Sequence, residues 1–360
     1  MTTAGDAPVV GRRAGGWARI RHQPVLVIAV LLTVLVVVAI GAATIGAAGI
    51  PLHRLLAAAG LGAGEPDLIA RDRLVLWSIR LPRIAVAAMV GALLAAAGAI
   101  MQGLFRNPLA DPALVGVSSG GALAATTTIV MGDRLGWPLP FELLPVAAFL
   151  GSLAATTALY RIATSESRTS AAIFLLGGLA IAALANAGIG LLIFIADDRQ
   201  LRDVTFWLLG SLGGATWPKA IAIAPFPALL LIAMPLIVRG LDLLVLGEAE
   251  AFHMGVEVEK LKRRSIMLVS AMTGAAVAVA GVIGFVGIVV PHLLRLMVGP
   301  GHRLLLPASV FLGAILMIGA DTGARVVAAP AEVPIGILTA AIGAPFFLAI
   351  LLRQRSIASL

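Results

Sequence analysis

Apolar residues in this chain gather into ten long runs, near 24–49, 82–104, 112–131, 143–160, 171–195, 218–238, 265–283, 284–298, 304–320 and 334–352. A helix that crosses a bilayer needs about 20 mostly apolar residues, and most of these runs meet that length. The runs 112–131 and 284–298 are the weak ones, each short or interrupted by proline. An even number of crossings puts both termini on one side. The pattern predicts an all-α integral membrane protein with a transmembrane domain over 24–352 and short tails over 1–23 and 353–360.

The polar intervals are as informative as the runs. Residues 50–80 are too long and polar for a simple hairpin, and Asp197 to Leu209 reads as a short amphipathic helix on the outer side. The interval 242–264 carries LGEAEAFHMGVEVEKLKRR, charged and helical in pattern but costly to bury in lipid. It reads as a docking surface for something cytoplasmic. Around residues 80–122 an arginine pair flanking a proline leads into a small-residue helix, a polar Asn-Pro turn, and an apolar segment with two serines and paired glycines. Non-helical backbone at membrane depth survives only where protein or a water-filled cavity covers it. This stretch therefore predicts a pathway through the membrane.

Composition agrees with the class. The chain is 60% hydrophobic and 12% charged, with a mean hydropathy of +1.05, whereas soluble domains sit near one half and one quarter. Its 40 glycines and 20 prolines suit bundled membrane helices. With no cysteine there is no disulfide, thiolate metal site or thiol nucleophile. The net charge of +8 is spread between apolar runs rather than collected in a basic domain, which points to topology and not to nucleic acid. Placing the termini inside gives the inner side 16 of the 26 lysines and arginines and the outer side 10, the direction of the positive-inside rule. The run 24–49 is too long for a signal-peptide core and reads as a retained first span.

Two segments echo each other. Gly91 to Ile100 resembles Gly274 to Ile283, 183 positions later, in spans that run in opposite directions. That is the mark of an inverted-topology repeat, although two Ala/Gly-rich packing helices also match by chance. Catalytic signatures are missing: no Walker-type phosphate loop, no metalloprotease His spacing and no nucleophile elbow occurs, and the five histidines are scattered. Few ionisable residues sit well inside the spans, which disfavours an ion-coupled carrier. A translocator driven by another subunit fits better.

The segments RLPR (80–83), GALLAAAGAIMQGLFRNPLADPALVGVSSGGA (91–122), WLLGSLGGATW (207–217), LGEAEAFHMGV (246–256), GFVGIVVPHLLRL (284–296) and PAEVPIGILTAAIGAPFFLAILLR (330–353) resemble the permease subunits of type II ABC importers for iron-siderophores, haem and cobalamin. They cover most of the chain after Trp77, in family order. The resemblance implies the type II importer permease fold, a second copy of the chain around a central pathway, two cytoplasmic ATPase subunits and a periplasmic substrate-binding protein. It implies a bacterial inner-membrane location with both termini cytoplasmic. ATP and magnesium would belong to the ATPase, no cofactor to this chain, and haem would be the transported substrate.

The resemblance also assigns roles. Arg80, Arg83 and Arg325 match outer arginines that receive glutamates of the binding protein; headgroup anchoring or an internal ion pair, with Asp321 and Glu332 near Arg325, is the plainer alternative. Gly247, Glu248, Ala251, Met254 and Gly255 fall in the ATPase-coupling helix, with an amphipathic connector as the alternative. Asn107, Pro108, Asp111 and Pro112 form a structural turn. Ser118 and Ser119 face either the pathway or a neighbouring helix. Thr169 and Ser170 fall near the family's cytoplasmic gate, though alanines follow where some relatives are polar. His292 tempts a haem-ligand reading, but its Pro-His pair is shared with relatives of other substrates, which favours a structural or pathway role. The motif details are most similar to haem permeases, then to ferric-siderophore and cobalamin permeases. A secondary carrier is the alternative of a different class.

Overall fold

The computed structural model describes residues 23–46, 49–63, 65–112, 116–134, 143–165 and 168–358. Nearly all of the tail 1–23 lies outside them. The chain is helical from α1 (Pro24–Thr44) through two short helices, α2 (Leu52–Ala58) and α3 (Pro66–Val75). A wide turn at Leu76–Arg80 joins α3 directly to α4 (Leu81–Leu104). Then come α5 (Val117–Arg134), α6 (Leu143–Ala163) and α7 (Ala171–Ile195). The amphipathic α8 (Asp198–Leu208) precedes α9 (Trp217–Ile223) and α10 (Pro225–Leu244). After α11 (Glu248–His253) follow α12 (Val258–Ala280), α13 (Val286–Val298), α14 (His302–Val327) and α15 (Ile335–Ala358). A two-residue β-hairpin, Thr164–Ser165 against Arg168–Thr169, links α6 to α7.

Among the described residues, seven helical segments are long and apolar enough to cross a membrane. Helices α5, α13 and α15 complete the ten runs read from sequence. The weak runs are weak for a physical reason. Helix α13 has 13 residues, too few for about 30 Å of hydrocarbon, and its Val286, Val289, Val290 and Leu294 are buried against protein rather than lipid. The polar interval 50–80 folds as α2 and α3, clipped together where Arg54 forks onto Asp72 through bonds of 2.7 and 2.8 Å. Helix α8 starts at a capping box: the Asp197 side chain accepts from the Gln200 N–H at 2.8 Å, and the Gln200 side chain accepts from the Asp197 N–H at 3.2 Å.

Helix α4 is the axis of the bundle. Val86, Ala87, Val90, Leu93, Ala95, Ala96, Ala97, Ala99 and Ile100 have no exposed surface, the pattern of a helix enclosed on all sides. Its glycines explain how partners come so close. A Cβ on Gly91 would collide with the Gly313 carbonyl of α14, and one on Gly98 with the Gly287 carbonyl of α13. In a bilayer the association of helices depends on such close packing, because lipid tails are as apolar as leucine.

Helix α12, which carries the sequence echo of α4, is the other strongly enclosed helix. The two run in opposite directions. The first turn of α4 carries Arg83, bonded to Glu332, whereas α12 ends at Ala280, whose carbonyl accepts from the Ser211 N–H beside the same Glu332 segment. Helix α7 is the reverse of α4, presenting Leu176, Leu179, Leu184, Leu191 and Phe194 outward.

Candidate functional site

The sequence-predicted residues collect at the two ends of the bundle. At the first end the three arginines meet. Arg83 is buried and forks twice: its Nε lies 3.0 Å from both Asp321 oxygens, and Nη1 and Nη2 reach the Glu332 carboxylate at 2.9 and 3.0 Å. Such bidentate contacts are the guanidinium's strength. Arg325 lies one helical turn beyond Asp321, with Nε 3.3 Å from its Oδ2. Arg325 also donates to the carbonyls of Ile45 at 3.1 Å and Ala42 at 3.4 Å, and Arg80 donates to the carbonyl of Ala43. Two cations thus sit on the last carbonyls of α1, the end where a helix carries partial negative charge.

The internal ion pair weighed from sequence is therefore present, centred on Arg83 rather than on Arg325. Burial holds all three guanidiniums largely out of solvent in this conformation. Glu332 is the exposed member, with 46% of its side chain accessible. Sequence reasoning missed the capping of α1, because Ala42, Ala43 and Ile45 contribute backbone oxygens that carry no residue signature.

At the opposite end, α11 is a six-residue helix held between two glycines, Gly247 at φ 131° and Gly255 at φ 83°. Ala251 faces inward with no exposed surface, while Phe252 (68% exposed) and Met254 (53%) face out. Glu248 opens the helix and reaches back to Lys262 of α12, at 2.8 Å. Lys262 also donates to Glu259 at 3.1 Å and to the Thr169 carbonyl at 3.2 Å. Thr169 belongs to the β-hairpin, and its N–H donates to the second oxygen of Glu259 at 3.0 Å. The coupling and gate candidates, read separately from sequence, share one buried ammonium. Only the i, i+3 spacing of Glu259 and Lys262 hinted at it.

Ser170 caps α7, its hydroxyl accepting from the Ile173 N–H at 3.4 Å. The turn residues behave as architecture. Asn107 accepts from Leu109 N–H at 2.9 Å, Arg106 adopts a left-handed φ of 49° that ends α4, and Asp111 and Pro112 are buried. Next to this turn, the buried Gln102 bridges α4 to α13, donating to the Gly287 carbonyl at 3.1 Å and accepting from Arg295 at 2.6 Å. Ser118 is buried and Ser119 half-buried in the first turn of α5. The His292 ring meets Phe346 edge-on at 5.9 Å. No group of three potential metal ligands occurs among the described residues.

Residues 24–353 match the model of the FecCD transport family. The chain belongs to the FecCD family. It is 44% identical to the hemin transport system permease protein HmuU of Yersinia pestis over 336 residues, covering 93% of this chain and 98% of that protein. It is 42% identical over 310 residues to the cobalamin import system permease protein BtuC of Halobacterium salinarum, covering 86% and 81%. A solved inward-facing structure of a metal-chelate type ABC transporter superposes with a TM-score of 0.79 at 33% identity, covering 91% of this chain and 98% of the other. This FecCD protein is thus a multi-span ABC-importer permease with the type II fold.

Proposed function

We propose that this FecCD permease forms, with a second copy of itself, the pathway of an ATP-driven haem importer in the bacterial inner membrane. A periplasmic binding protein delivers the substrate at the arginine end, and two ATPase subunits seat α11 at the other. The inner excess of lysine and arginine supports termini on the cytoplasmic side. The observation that carries the haem reading is identity of 44% along 98% of a hemin permease. Ferric-siderophore or cobalamin import is the second reading, and 42% identity to a cobalamin permease supports its cobalamin form.

Docking at Arg80, Arg83 and Arg325 asks an incoming carboxylate to compete with Glu332, the half-exposed partner of Arg83. ATPase coupling rests on the outward Phe252 and Met254 of a helix whose charges exclude it from lipid. Ser118, Ser119, Thr169 and Ser170 serve the pathway and its inner gate. The substrate is tested by titrating the cognate binding protein with haem, a ferric siderophore and cobalamin. Saturable haem binding with no response to the others supports the first reading, and tight cobalamin or siderophore binding replaces it.

A further inference from the structure

We propose that Lys262 is the positioning residue that ties the motion of α11 to the paired strands Thr164–Ser165 and Arg168–Thr169, so that displacement of the ATPase-docking helix moves the inner gate. The inference rests on the ATPase-coupling reading of α11. An ammonium has three N–H donors, and Lys262 spends one each on Glu248 of α11, Glu259 of its own helix and the Thr169 carbonyl of β2. Glu259 closes the set by accepting the Thr169 N–H. Both backbone polar groups of Thr169 are thereby held by the first two turns of α12, and its hydroxyl lies 3.1 Å from that of Thr164 across the hairpin.

Two further observations make this a linkage rather than static glue. Helix α11 is flanked by glycines at positive φ, Gly247 and Gly255, so short hinge segments bound a small rigid helix. Lys262 is 6% exposed, and a buried ammonium deprived of a partner is strongly disfavoured. When Glu248 shifts, Lys262 follows it and draws Thr169 along, or gives up one of its two carboxylates and keeps Glu259 alone; letting go of Thr169 takes that donor from its carbonyl. Glu248, 45% accessible, is the arm that a docked subunit reaches.

The cysteine-free chain makes the test direct. A single Arg168→Cys reporter in the hairpin is labelled with a membrane-impermeant maleimide in the full complex with its ATPase. Labelling is compared without nucleotide and after trapping with ATP and vanadate. The ratio of the two rates differs from one in the parent, falls to one in Lys262→Met, and is preserved in Lys262→Arg, with vanadate trapping retained in all three. Lys262→Met retaining the parental ratio overturns the proposal, as does a hairpin whose labelling never responds to nucleotide. Should Lys262→Met fail to accumulate, Glu248→Gln cuts the α11 arm alone at a half-exposed site, and loss or retention of its ratio decides in the same way. Failure of the coupling reading shows separately: Phe252→Ala and Met254→Ala then leave ATPase association untouched.

Discussion

Arg83 and Asp321, 238 positions apart, form a buried bidentate pair that fastens the first turn of α4 to the last turns of α14. Removing Asp321 leaves Arg83 only its half-exposed partner Glu332 and takes the nearby carboxylate from Arg325 as well. Breaking a buried pair outright costs about 3–5 kcal/mol, and the remaining Glu332 contact offsets part of that. Asp321→Ala should therefore lower the thermal unfolding midpoint of the detergent-solubilised permease sharply. Glu332→Gln, at the exposed side of the same guanidinium, should cost about 0–1 kcal/mol. Equal, small effects from both would show that the pair carries no structural weight.

Glu332 also gives a signed prediction for docking. If a carboxylate of the binding protein competes with Glu332 for Arg83, Glu332→Gln should tighten association up to about fivefold, the worth of an exposed pair of about 1 kcal/mol. The gain should shrink as salt is raised. Surface-immobilised permease titrated with binding protein reads both. Unchanged affinity and salt dependence would leave the arginines as internal fasteners only.

The helix crossings predict a steep contrast within one helix. Gly313→Ala on α14 drives a methyl into the Gly91 carbonyl and the Ala95 side chain of α4, whereas a Cβ on Gly319, further along α14, meets nothing within 4 Å. Overpacking of this kind costs about 1–3 kcal/mol, while the Gly319→Ala change should stay within about 0.5 kcal/mol. Thermal unfolding of the two variants side by side checks it. Similar midpoints would mean that the α4–α14 crossing yields easily.

At α11, Phe252→Ala and Met254→Ala remove exposed apolar side chains without touching the buried Ala251. Each should weaken ATPase association by about 1–2 kcal/mol, roughly tenfold, as truncated interface anchors do. Quantitative co-purification measures the loss. Full retention in the double variant would place the ATPase contact elsewhere.

Much of this was legible in the sequence, for identifiable reasons. Long apolar runs locate the spans, and Asp197 with Gln200 at capping-box spacing marks α8 because both partners are local. The glycines of α4 announced close packing, but not that Gly91 meets Gly313 and Gly98 meets Gly287, since register between distant helices leaves no local trace. The arginines were recognisable as a set through family resemblance. An internal ion pair was in view for Arg325, but not its transfer to Arg83, nor the bonds of Arg80 and Arg325 to backbone carbonyls of α1, which carry no residue signature. Lys262 reads as one of several basic residues in VEKLKRR until folding brings Thr169 and Glu248 to its ammonium.

The central claim is that this chain transports only as part of an ATP-driven assembly. The direct measurement is haem uptake into proteoliposomes that hold the permease alone, or the permease with its ATPase, with binding protein present in either case. Uptake should require both the ATPase and hydrolysable ATP, and an imposed proton or sodium gradient should add nothing. Uptake by the permease alone under an ion gradient would contradict the account and make the chain a secondary carrier.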